Sequence, residues 1–220
     1  SIMFAEAAGS LFYEYICVIF FCAIFQIFMV RKEHKKGHKY GIKHFIWVYI
    51  FFIYLMLVFE CTGSGSIYDI ASNIKLNVPI NKLIQVNLIP FDSASGGFMT
   101  HAANSIMFMP LGFLLPLIWN KFKSPAKTTF AGLLFSLAIE LSQLLNLRLT
   151  DVDDLIMNTL GALLGWMIFY LFKKLRNEKG KEVYNLEAEK MSFLARHEAC
   201  FYFILSFAGE FFLCNFSSAK

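Results

Sequence analysis

The chain has 220 residues, of which 57% are hydrophobic, 17% aromatic and only 16% charged, with 26 phenylalanines, and its mean hydropathy is +0.56. A soluble domain carries roughly 25% charged residues, so this composition excludes an ordinary soluble domain, and the long apolar runs predict an all-α polytopic membrane protein. The formal net charge is +4, but the basic residues collect in loops rather than in a stripe, which argues against nucleic acid as a partner and for a role in orientation.

Six spans are predicted in chain order: Leu11 to Val30, Phe45 to Phe59, Asn104 to Trp119, Pro125 to Leu147, Leu155 to Phe172 and Cys200 to Phe216. Some are shorter than the ~20 residues an untilted helix needs, so their ends extend into flanking residues. The first run is longer than a signal-peptide core and precedes a dense basic loop, so it reads as a retained helix. Pro110 and Pro116 interrupt the hydrogen-bond ladder of the third span and predict a kinked or broken helix. Gly161 and Gly165 in the fifth form a Gly-x-x-x-Gly face that lets another helix approach closely.

Between the second and third spans, residues 60–103 open on Cys61-Thr-Gly-Ser-Gly-Ser66, a flexible turn by composition. Val78-Pro-Ile-Asn-Lys-Leu-Ile-Gln-Val-Asn-Leu-Ile-Pro-Phe91 follows. It is too short and too punctuated to span, and reads as an interfacial or re-entrant element. Asn87 and Asp92 flank its Leu-Ile-Pro-Phe stretch. Residues 93–97 form a second loose turn. Residues 176–199 read as a cytoplasmic linker with amphipathic character, leaving residues 200–220 as an additional helix beyond a domain over 1–175.

The loops set the orientation. Residues 31–44, 120–127 and 173–196 hold 16 of the 20 Lys and Arg residues, and only Lys75, Lys82, Arg148 and Lys220 lie elsewhere. The positive-inside rule places those three loops in the cytoplasm and both termini outside.

Chemistry concentrates between the fourth and fifth spans. Arg148-Leu-Thr-Asp-Val-Asp-Asp154 puts four charges into seven residues. Before it, Glu140 and Gln143 share a helical face, with Ser136 one turn earlier. Glu140 sits roughly 12 Å below Arg148 along a helix axis. An unpaired carboxylate there would cost several kcal/mol, so it needs a partner: Arg148 folding back, Gln143, or an Asn from another helix. After it, Asn158 lies one turn beyond Asp154. Thr150 or Asp151 can cap the fifth helix, with Asp153 or Asp154 closing a capping box. One or two carboxylates suffice for that, and the surplus beside an arginine is free to orient Arg148, bind a cation or act as acid and base. Glu140, Arg148, Asp151 and Asp154 are the catalytic candidates. Asn87, Asn104, Gln143 and Asn158 are the candidates for substrate binding. His101 is a weaker candidate base near Asn104. Glu60 closes the second span on the same side, and Glu210 stands alone in the sixth, suited to pairing within the bundle.

The five cysteines, Cys17, Cys22, Cys61, Cys200 and Cys214, form no Cys-x-x-Cys and read as small hydrophobes. No P-loop, dinucleotide fingerprint or metal triad occurs, so no cofactor is expected; the pattern leaves metal dependence open.

Asn87-Leu-Ile-Pro-Phe91, Asn104 with Phe108-Met-Pro-Leu-Gly112, Ser136-Leu-Ala-Ile-Glu140 with Gln143, Arg148 with Asp151-Val-Asp-Asp154, and Asn158-Thr-Leu-Gly161 with Gly165 together resemble the VanZ-like membrane proteins. The resemblance covers residues 45–175. It implies a bacterial plasma membrane and a cell-envelope role associated with lowered susceptibility to teicoplanin-type glycopeptide antibiotics. It supplies no biochemical mechanism.

Three readings follow. The first is an outward-facing enzyme or binding site for a membrane lipid or lipid-linked envelope precursor. The second is a structural or partner-binding membrane protein whose polar network sets helix packing. The third is a transporter or flippase built around a broken third helix.

Overall fold

The computed structural model describes residues 2–79, 85–91, 97–175 and 191–214. Asp92, Lys82, Lys220, residues 80–84 of the interfacial piece, residues 93–96 of the second loose turn, residues 176–190 of the linker and the last residues of the sixth span lie outside them. The protein is an all-α polytopic membrane protein: among the described residues, five helices are long and apolar enough to cross a membrane.

The helices are α1 (Ile2–Lys35), α2 (Ile42–Thr62), α3 (Ile67–Lys75), α4 (Phe98–Ile118), α5 (Pro125–Gln143), α6 (Val152–Leu175), α7 (Phe193–Arg196) and α8 (Glu198–Leu213). Each of the first five predicted spans falls on a long helix, α1, α2, α4, α5 or α6, and most helix ends lie a few residues further out. The sixth falls on α8, whose 16 residues reach about 24 Å, short of the ~30 Å hydrocarbon core. The third span is one continuous helix with both prolines inside it, not a broken one. Each proline removes one N–H donor from the ladder, yet the helix runs on through both.

The chain divides into two compact units, Ser1–Met56 with Glu178–Lys220, and Leu57–Asn177. In the first, α1 packs along α8. Phe25 stacks on Phe201 with ring centroids 4.8 Å apart, and the Tyr13 hydroxyl donates to the Leu213 carbonyl at 2.6 Å. Two buried carboxylates are met by imidazoles: His44 Nε2 lies 2.9 Å from Glu198, and His38 Nδ1 lies 2.8 Å from Glu33. Glu33 also accepts from the Ser192 N–H at 3.2 Å, which holds the start of α7.

In the second unit, α4, α5 and α6 form the core, around Phe108, Leu111, Phe135 and Ile139. The Gly-x-x-x-Gly face packs as its composition predicts. Gly161 lies against the Ser105 carbonyl and Gly165 against the Met109 carbonyl, each leaving no room for a Cβ. Backbones this close maximise dispersion contacts where lipid removes the hydrophobic drive between helices.

The turn after α2 is docked, contrary to its flexible composition. Gly63 takes φ +60, a left-handed conformation suited to glycine. The Gly65 N–H donates to Ser142 Oγ at 3.2 Å, and Asn146 donates to the Gly63 carbonyl at 2.6 Å. Helix α3 is held through Asn73, which donates to the Leu145 carbonyl at 2.5 Å. Composition foretold the turn but not the partners that immobilise it.

Candidate functional site

The site is assembled where the start of α4, the end of α5 and the start of α6 meet. Helix α5 ends in a 3-10 turn, Leu144–Asn146, and Leu147 adopts φ +63, so the chain reverses. The next residues form a short strand, β2 (Thr150–Asp151), beside β1 (Val86–Asn87). The two run parallel, with Val86 opposite Thr150 and Asn87 opposite Asp151. This pairing places the Leu-Ile-Pro-Phe stretch against the acidic turn.

Each carboxylate of the cluster has a partner. Asp151 Oδ1 accepts the Asp153 N–H at 3.0 Å, the side-chain cap expected at a helix N-terminus. Its other oxygen lies 3.5 Å from the Asn87 amide. Both oxygens of Asp153 accept the Phe91 N–H at 2.9 Å. Asp154 accepts from the Asn104 amide at 2.5 Å. Glu140, 3% exposed, accepts the Asp151 N–H at 3.2 Å, while its carbonyl takes the Thr150 hydroxyl at 3.0 Å. One turn deeper, the Asn158 amide donates to Ser136 Oγ at 2.9 Å. Acidic groups here also face the positive end of the α6 dipole.

Arg148 does not fold back onto Glu140. It donates to the Thr62 carbonyl at the end of α2, and Gln143 donates to the same carbonyl at 2.7 Å. A helix C-terminus offers unpaired carbonyls and a negative dipole end, which a guanidinium suits. Glu140 gains its bond from a backbone N–H instead, because the 3-10 turn swings Asp151 over it. Arg148 still lies within electrostatic reach of Glu140, as does Asp154.

The predicted site residues therefore fall into two groups in this unit. Asn87, Asn104, Glu140, Asp151 and Asp154 come together at the α6 N-terminus, with Asn158 beneath them. Gln143 and Arg148 converge on the end of α2. His101 lies beside the first group. Its ring meets the edge of Phe91, with centroids 5.9 Å apart, it is within electrostatic reach of Asp154, and its Nδ1 is buried with no partner among the described residues. Asp153 was not singled out from the sequence as a site residue, yet it ties Phe91 down. The three aspartates in a four-residue run, more than capping uses, were the available signal. Leu88, Ile89 and Phe91 next to this cluster are 74%, 65% and 66% exposed. No group of three or more His, Cys, Asp or Glu side chains is placed to hold a metal ion among the described residues. The cluster can accept hydrogen bonds from hydroxyl or ammonium groups, and Asn87 and Asn104 add polar edges beside an apolar lip.

The VanZ/LLP1 family model matches residues 46–173, a stretch that contains every one of these residues. The chain belongs to that family. It is also similar to Protein VanZ from Enterococcus faecium, with 36% identity over 95 residues, 43% of this chain. The match spans 58% of that relative's length. No solved structure matches the chain.

Proposed function

We propose that this VanZ/LLP1 member acts at the outer face of a bacterial plasma membrane and holds the polar head of a lipid-linked or amphipathic envelope molecule. In doing so it would lower susceptibility to teicoplanin-type glycopeptides. The observation that carries this reading is the gathering of Glu140, Asp151, Asp154, Asn87 and Asn104 beside the exposed apolar residues Leu88, Ile89 and Phe91. A polar head would meet the carboxylates and amides, and the apolar lip would meet its tail. The loop charges support the outward orientation. Arg148, exposed and close by, would meet an anionic group of the head, since guanidinium suits phosphate and carboxylate. Glu140 and Asp154 are the groups that would hold or move a proton at a hydroxyl or amine of the bound molecule, with Gln143 and Asn158 orienting it.

A second reading is favoured by Asp153, both of whose oxygens are used in holding Phe91: the network serves helix packing alone. Purification from native membrane with mass spectrometry of retained lipids separates the two. The first reading expects one species enriched with wild type and lost with D154N and with R148A, at unchanged melting temperature. An unchanged lipid profile in both folded variants would overturn it.

A further inference from the structure

Helix α3 contributes no buried residue, and the function proposed above leaves it without a role. Both of its ends are tied to the exit of α5. Gly65, just ahead of α3, lies on the Ser142 carbonyl with no room for a Cβ, and its N–H donates to Ser142 Oγ. Near the other end, Asn73 donates to the Leu145 carbonyl at 2.5 Å. Asp69 accepts the Ser66 N–H at 2.7 Å, the acidic half of a capping box that fixes the first turn. The helix is thereby held against the end of a span instead of standing away in water. Helix α5 has 19 residues, about 28 Å at 1.5 Å per residue, close to the ~30 Å of the hydrocarbon core. That length sets the end of α5, and α3 with it, at the hydrocarbon boundary.

At about 100° per residue, α3 has three sides. Asp69, Ile70 and Asn73 form one, partly covered by the rest of the unit. Ile67, Ala71 and Ile74, at i, i+4 and i+7, form a second and are all exposed, Ile74 to 72%. Exposed Ser72 lies on the third, and Tyr68 and Lys75 fall between it and the apolar stripe. Helix α5 carries an exposed stripe of its own, Phe130, Leu134, Leu137 and Leu141, at the spacing of a lipid-facing side. It leads to Ser142–Leu145, where α3 is tied.

We propose that α3 lies in the headgroup boundary of the bilayer, with Ile67, Ala71 and Ile74 against the acyl chains and Ser72 toward water. An amphipathic helix with one apolar face is the element that binds in this way. The partner is the phospholipid surface at this end of the spans, which the loop charges assign to the outer leaflet. Tyr68, an apolar ring with a polar tip, and Lys75, a charge on an apolar stem, suit the level between. The lipid contact fixes the depth at which the exit of α5 sits. Neither the tethers nor the stripe involves the polar cluster, so α3 meets lipid whether or not the cluster holds a head group.

The test places single cysteines on α3 of the full chain, with the exposed Cys61 and Cys200 replaced by serine. Each variant is labelled with a nitroxide and reconstituted in vesicles of phosphatidylethanolamine and phosphatidylglycerol. Power-saturation EPR compares collisions with oxygen, which concentrates in the bilayer, and with a water-soluble nickel chelate, after subtraction of the parent signal. I67C, A71C and I74C are expected to give an oxygen-to-nickel ratio severalfold above that of S72C. Equal ratios at all four positions would overturn the proposal, because α3 would then be wholly immersed or wholly solvated. If the labelled variants fail to accumulate, wild type decides. A phospholipid with a diazirine in its acyl chain is expected to cross-link to residues 67–75 as well as to the α5 stripe. Cross-links on α5 with none on α3 sink the proposal.

Discussion

The Asn104 amide donates to the Asp154 carboxylate at 2.5 Å, joining the second turn of α4 to the first turn of α6. A hydrogen bond to an ionised group is stronger than a neutral one and orients its acceptor. Asp154 is thereby held beside Asp151 and Glu140, and the same bond links two helices 50 residues apart in sequence.

Replacing Asn104 by Ala should therefore act on both stability and phenotype. The loss of a charge-assisted bond is expected to cost about 1.5–3 kcal/mol. N104D, which sets a like charge against Asp154, should cost more than N104A. Thermal unfolding in detergent gives the order, and glycopeptide susceptibility of expressing cells reads the proposed function. N104D equal to or more stable than N104A would contradict an ionised Asp154 at this contact.

Gly161 lies on the Ser105 carbonyl. G161V should force α4 and α6 apart and destabilise by roughly 1–3 kcal/mol or more, the range of overpacked cores. Gly9 has nothing near the position of its missing Cβ, so G9A serves as the tolerated control. Comparable loss of folded protein in both variants, measured by size-exclusion chromatography, would remove the packing argument.

Asp153 anchors the Leu-Ile-Pro-Phe stretch through the Phe91 N–H. D153A should release it, seen as faster amide exchange at Phe91. D153N keeps an acceptor oxygen and should retain part of the protection. Equal exchange in wild type and D153A would show that the strand pairing alone holds the segment.

His44 and Glu198 are 5% and 2% exposed and lie 2.9 Å apart. Removing the imidazole takes one hydrogen-bond partner from a buried carboxylate, at about 1–3 kcal/mol. H44A should lower the melting temperature sharply, while H44F with E198L should recover part of the loss. A double variant less stable than H44A would count against the pair as the source.

Span positions were legible in the sequence because hydrocarbon selects apolar runs locally, residue by residue. Asp151 as a cap was legible for the same reason, since its bond to the Asp153 N–H spans two residues. The tight face of Gly161 and Gly165 was visible as a repeat, although its partner was not.

Arg148 marks where local reading ends. Its charge stood out beside Glu140 eight positions earlier, but its bond goes to Thr62, 86 residues away. The continuous α4 was hidden as well, because the two prolines argue locally for a break. What the sequence determined by itself was the membrane class, the spans and the set of polar residues, all consequences of solvation and short-range hydrogen bonding. What only the tertiary structure decided was the partner of each polar group: β1 beside β2, Asn104 on Asp154, Phe91 on Asp153, and Arg148 on the end of α2. Those contacts depend on which helix ends meet in space, and nothing in a short window of sequence encodes that meeting.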